Sequence, residues 1–119
     1  MAPKLSAVAI AVLCATHAFA AQPQFVSTDE MLAAYDHGDD NARQLILLGL
    51  TQTEGGMELA NAELKARGQA PLYCAPPQML TGEQILDMLR RYDGSHPEIG
   101  PGSYAVAILR AAEDVFPCR

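Results

Sequence analysis

The side chains able to do chemistry in this chain fall in four places. Asp36-His37-Gly38-Asp39-Asp40 gathers three carboxylates and an imidazole, Glu54 and Glu58 lie one helical turn apart, Ser95 and His96 are adjacent, and Cys74 and Cys118 stand well apart. The first cluster could hold a cation, but its spacing fits neither an EF-hand loop nor a zinc site. The same acids suit a turn between two helices, where an N-cap and a first-turn acid meet the positive end of the helix dipole. Glu54 and Glu58 read as a solvated helix face, since no basic residue completes a catalytic set around them. Adjacency does not make Ser95 and His96 a dyad, no acid is placed to orient the imidazole, and no Gly-x-Ser-x-Gly elbow is present. His96-Pro97 more simply breaks the chain between helices. The expectation is a protein that is not an enzyme and uses no metal and no cofactor.

The chain begins with the three parts of a secretory signal. Lys4 supplies the positive region, Ala7 to Leu13 is an uninterrupted apolar run, and Ala18-Phe19-Ala20 gives the small-x-small cleavage pattern. The run is far short of the ~20 residues needed to span a bilayer. Leu13 before Cys14 speaks against a lipoprotein signal, which places Gly or Ala there. Residues 1–20 therefore read as a cleaved signal and 21–119 as one domain, about 99 residues long. All 14 acidic and 7 of the 8 basic residues lie beyond residue 20, a net charge of −7. That balance, with no basic tract, disfavours nucleic acid and anionic membrane and suits a soluble protein or one that meets a basic partner.

Export also decides the cysteines. With Cys14 removed, Cys74 and Cys118 remain, an even count in an oxidising compartment with one pairing possible. Closing a loop of that length contributes about 4 kcal/mol in the chain-entropy picture. A metal reading lacks ligands, since only His37 and His96 remain beyond the signal.

Local signals lay out four helices and no strand. Ser27-Thr28-Asp29-Glu30 is a capping box opening a short helix with Met31, Leu32 and Tyr35, which Gly38 ends. Asp39 and Asp40 open a long helix from about Asp40 to Arg67, with Ile46, Leu50, Thr53, Met57, Ala60 and Leu64 on one face. Gly49, Gly55 and Gly56 inside it predict a kink or a close helix–helix approach, and Gly68 is a natural stop. Gln69 to Met79 is a Pro-rich loop holding Cys74. Thr81 and Gln84 form a second capping box for a helix with Ile85, Met88, Leu89 and Tyr92 along its stripe. Asp93 to Gly102, with two prolines and three glycines, predicts no regular structure. A last helix runs from about Ser103 to Val115, and Phe116-Pro117-Cys118 ends it.

Several of these features together resemble the Rap/Tai family of periplasmic immunity proteins, which protect bacteria from type VI secretion amidase effectors. The resemblance rests on Cys74-Ala75-Pro76-Pro77 after a Gly-containing helix, then Leu80-Thr81-Gly82-Glu83-Gln84-Ile85. It continues through Tyr92, His96-Pro97 and the alanine-rich last helix closing on Phe116-Pro117-Cys118. It spans about Leu72 to Cys118, with a weaker similarity from Asp29 to Ala60. Relatives often carry a second cysteine pair tying the first helix to the second, and here the region around Tyr35 and Leu45 to Leu47 has no cysteine.

The resemblance implies a compact helical homodimer in the periplasm that fills the cleft of a peptidoglycan-cleaving amidase, with acidic residues steering association. The stripe from Ile46 to Leu64 is long for so small a domain, which leaves part of it for a partner subunit. Asp93 to Gly102, with Ser95, His96 and Glu98 exposed, is the expected partner-binding surface. The acidic turn with Asp36, Asp39 and Asp40 is the second choice. Two other functions fit the same composition. One is an acid-stress holdase chaperone, opened by protonation of carboxylates such as Asp39, Asp40 and Glu98. The other is a structural exported protein with no toxin partner.

Overall fold

The computed structural model describes residues 24–119, so the signal read at 1–20 lies outside the described residues. The fold is all-α. Helices α1 (Thr28–His37), α2 (Asp40–Ala66), α3 (Gly82–Ser95) and α4 (Tyr104–Val115) follow in order, with one 3-10 turn at Pro97–Ile99.

The capping chemistry is as read. Ser27 Oγ accepts from the Glu30 amide while the Glu30 carboxylate accepts from the Ser27 amide, and Thr81 and Gln84 repeat the arrangement for α3. Asp39 Oδ1 accepts from the Ala42 amide at 2.8 Å, capping α2. Gly68 ends α2 in the left-handed region (φ 70°), with its amide donating to Lys65 and that of Gln69 to Leu64, the paired bonds of a Schellman stop.

α3 and α4 build the centre of the core. Ile85, Leu89, Ile108 and Ala111 are completely buried, and Ala107 and Ala112 keep the α4 face low enough for α3 to approach. Gly82 lets the first turn of α3 abut α2: a Cβ there would lie 2.7 Å from the Leu47 carbonyl oxygen. The chain before α1 is tied across the molecule. Thr28 N–H donates to Gly102, Asp29 N–H to Gly100, and Tyr104 N–H to Val26.

Three expectations change. The interior face of α2 runs through Leu47, Leu50, Glu54 and Asn61, rotated from the predicted stripe, so that Ala60 is exposed. Gly49, Gly55 and Gly56 sit within one continuous helix, and a Cβ on any of them would meet nothing within 4 Å. They therefore mark open helix surface, and no close approach. The segment from Asp93 is more regular than expected. α3 continues to Ser95, and Pro97, whose fixed φ and missing N–H suit a first helical position, opens the 3-10 turn.

The loop between α2 and α3 is held from both sides. Cys74 and Cys118 form the disulfide, with Cα atoms 5.0 Å apart, and Cys74 N–H donates to the Phe116 carbonyl at 2.8 Å. From α2, the buried Asn61 side chain accepts from Leu72 N–H (2.8 Å) and donates to the Tyr73 carbonyl (3.1 Å). Tyr73 is thereby pinned in the core at 2% exposure.

Candidate functional site

The two segments singled out for partner binding are both built into helix ends. Ser95 Oγ donates to the carbonyls at the end of α3, Arg91 at 3.2 Å and Tyr92 at 3.1 Å, and stands 3.1 Å from His96 Nδ1. His96 N–H donates to Tyr92 and Asp93 carbonyls, and its ring stacks on Tyr92 with centroids 4.1 Å apart. The half-buried imidazole thus closes the C-terminal end of α3, where a donor satisfies free carbonyls. Glu98 is exposed in the 3-10 turn. Beside this segment, Ser95, Gln84, Met88, Arg91, Tyr92 and Phe116 line a groove of about 410 Å³ between α3 and the end of α4.

The acidic turn is likewise engaged. Asp36 pairs with Arg90 of α3, and Arg43 donates to the carbonyls of Tyr35 (3.1 Å) and Asp36 (3.3 Å). Arg43 and Arg90 also lie 5.8 and 5.3 Å from the Tyr35 ring centroid, within cation–π reach. Asp39 is the cap of α2, and Asp40 is exposed in its first turn. No hydrogen bond joins this turn to Ser95, His96 or Glu98; Arg90, five residues before Ser95 on α3, is their nearest link in sequence. Among the described residues, no cluster of three or more His, Cys, Asp or Glu could hold a metal ion.

A polar cluster that sequence reasoning placed in solvent is buried. Glu54 is 3% exposed, Glu58 is half-buried, and both face Tyr73. Glu54 Oε2, Glu58 Oε1 and the Tyr73 hydroxyl are buried together without a well-formed hydrogen bond, and the Tyr73 hydroxyl lies close enough to the Glu58 carboxylate to interact with it. Burial raises the Glu54 carboxyl above the ordinary carboxylate range, and the neighbouring Glu58 charge adds to the rise. The Tyr73 phenol is likewise pushed far above its usual value, by burial first and then by Glu58 and Glu54. The i, i+4 spacing of the acids was visible in the sequence. Their burial depends on Tyr73 docking from a distant loop, which local pattern does not report.

This arrangement predicts an unusual pH dependence. With its proton affinity raised by folding, Glu54 favours the native state below the ordinary carboxylate range, and that advantage is lost as pH rises through its raised value. Glu54→Met keeps helix propensity and volume while removing the buried charge. It is expected to stabilise the fold by ~2 kcal/mol at neutral pH and by little at pH 4. Urea unfolding of both proteins between pH 4 and 8 checks this; a variant weaker than the parent at every pH would contradict it.

No family model matches the chain, and comparison with curated proteins and with solved structures gives no significant match.

Proposed function

We propose that this protein is a periplasmic immunity protein that binds and blocks a peptidoglycan amidase effector of type VI secretion. The observation that carries the reading is the closed Cys74–Cys118 staple. It joins the Cys-Ala-Pro-Pro loop to the terminal Phe-Pro-Cys, the two segments on which the Rap/Tai resemblance leans most. An inhibitor of this kind needs no reaction of its own. It needs a stiff surface whose shape survives contact with the enzyme, because every side chain ordered on binding subtracts from affinity.

The Ser95–Glu98 segment has that stiffness. Its backbone and the Ser95 and His96 side chains are already committed to the end of α3 and to the 3-10 turn, so docking has mainly the exposed Glu98 side chain to order. The region where relatives carry a second cysteine pair is tied here by the Arg43 and Arg90 contacts to Tyr35 and Asp36. Self-association fits the exposed Leu45 and Leu48 on α2.

The test uses mature protein and an amidase that it captures from a set of candidate type VI effectors. Replacing Ser95, His96 and Glu98 with alanine is expected to weaken binding by ~2 kcal/mol or more, and Glu98→Ala alone to account for a measurable part. Ser95 and His96 hold a helix end, so circular dichroism must first show that the triple variant folds. Light scattering of the complex is expected to report two copies of this chain. Unchanged affinity in a folded triple variant would move the contact to Asp36, Asp39 and Asp40.

A further inference from the structure

The cleft between the middle of α2 and the Pro-rich loop combines apolar walls with anionic, unpartnered oxygens. Leu59, Pro76, Pro77 and Met79 line it, together with Glu54 and Glu58, and it encloses about 370 Å³. Gly55 leaves the side of the cleft open, since a Cβ there would meet nothing within 4 Å. No basic residue lines the cleft. Five of the six described arginines are bound elsewhere: Arg43 to Tyr35 and Asp36, Arg67 to Glu63, Arg90 to Asp36, Arg91 to Asp87 and Arg110 to Glu113; Arg119, beside Cys118, does not line the cleft.

We propose that this cleft binds the guanidinium group of an arginine-like ligand, with Glu54 and Glu58 receiving the cation and the prolines, Leu59 and Met79 covering its aliphatic stem. A carboxylate almost wholly buried without a partner is costly, and a cation that pairs with it recovers that cost. A metal ion is the poorer occupant, because no third His, Cys, Asp or Glu among the described residues joins the two acids. Between organic cations, guanidinium is favoured over ammonium. It is more weakly hydrated, and its planar fork of donors can serve both carboxylates together. Its methylene stem matches the apolar walls. Such a guanidinium is presented by a protein arginine or arrives as a small molecule, whether or not the chain is an immunity protein.

The experiment is an NMR titration of the mature protein with four probes: N-acetyl-arginine-N-methylamide, its lysine and citrulline counterparts, and agmatine. The arginine amide is expected to shift the amides of Glu54 to Leu59 and of Gln78 and Met79, saturably. The lysine amide should bind at least about fivefold more weakly, and the neutral citrulline amide should give no response. Preference for the capped arginine over agmatine assigns a protein source, and the reverse assigns a small molecule. Glu54→Gln, which keeps the shape, should lose about tenfold or more in affinity without lowering the melting temperature, whereas a purely structural carboxylate would show the opposite pair of effects. Gly55→Met, which extends into the cleft from open helix surface, should also abolish binding in a folded protein. Shifts confined to other residues, an equal response to citrulline or lysine, or undiminished binding by Glu54→Gln would overturn the proposal.

Discussion

Replacing Cys74 and Cys118 together by serine is expected to remove about 4 kcal/mol of stability. The bond closes a separation of 44 residues, and without it the unfolded chain regains the freedom that the loop denies it. A small domain has roughly 5–15 kcal/mol in all, so the loss is a large share of the margin. The loosened elements are specific. Beside the disulfide, the hydrogen bond from Cys74 N–H to the Phe116 carbonyl joins the end of α4 to the α2–α3 loop, and it loosens with the staple. Guanidinium unfolding of the double variant beside the oxidised parent measures the difference. A midpoint that barely moves would show that Asn61 and Tyr73 alone hold the loop.

Asn61→Ala tests that second clamp and carries the other large effect. Asn61 is 3% exposed and serves Leu72 N–H and the Tyr73 carbonyl with the two ends of one amide. Alanine removes both bonds and leaves two backbone groups without partners, one of them the carbonyl of the buried Tyr73. The expected cost is ~3 kcal/mol, two hydrogen bonds with their desolvation penalty. Because Tyr73 would then be held less firmly, its fluorescence should become accessible to quenchers before global unfolding. Asn61→Asp separates the roles. It keeps the acceptor for Leu72 but sets a buried carboxylate oxygen against the Tyr73 carbonyl, so at neutral pH a loss at least as large as alanine's is expected, and a smaller one where the carboxyl is protonated and can donate. Equal stability of the alanine variant and the parent would mean that the loop position is set by the disulfide.

The helix ends were the most legible part of the fold, because caps are local. Ser27 with Glu30 and Thr81 with Gln84 announce two helix starts within four residues each, and both form. The α3 stripe was also readable, since Ile85, Leu89 and their neighbours alternate with charged residues. α2 was harder for a physical reason. Leu45, Ile46, Leu47 and Leu48 are consecutive, so any rotation of the helix buries something apolar, and the true interior face carries Glu54 and Asn61 where periodicity expects hydrophobes. Both polar residues face the loop around Tyr73, a non-local partner. Ser95 and His96 were found as exceptional residues, but their bonds to Arg91 and Tyr92 needed the helix to run on past Gly94.

Glu54 also bears on the acid-stress alternative. A chaperone opened by acid requires protonation to weaken the fold. Here the protonation of Glu54 relieves a buried charge and works the other way. Glu30, whose carboxyl the Ser27 cap lowers below the ordinary range, supplies stability that is lost as pH falls, but at an exposed helix end. Acid opening would have to overcome the core of α3 and α4 and the staple as well.

The most direct measurement is a pull-down of candidate type VI peptidoglycan amidases with the purified mature protein, followed by titration of the captured amidase and assay of the cleaved peptidoglycan peptides it releases. The account predicts that hydrolysis falls linearly to near zero at one chain per enzyme, and that heat-unfolded, reduced protein does not inhibit. Full hydrolysis in the presence of excess folded protein would contradict it. Suppression of client aggregation at pH 3 to 4 by the same preparation would then favour the holdase.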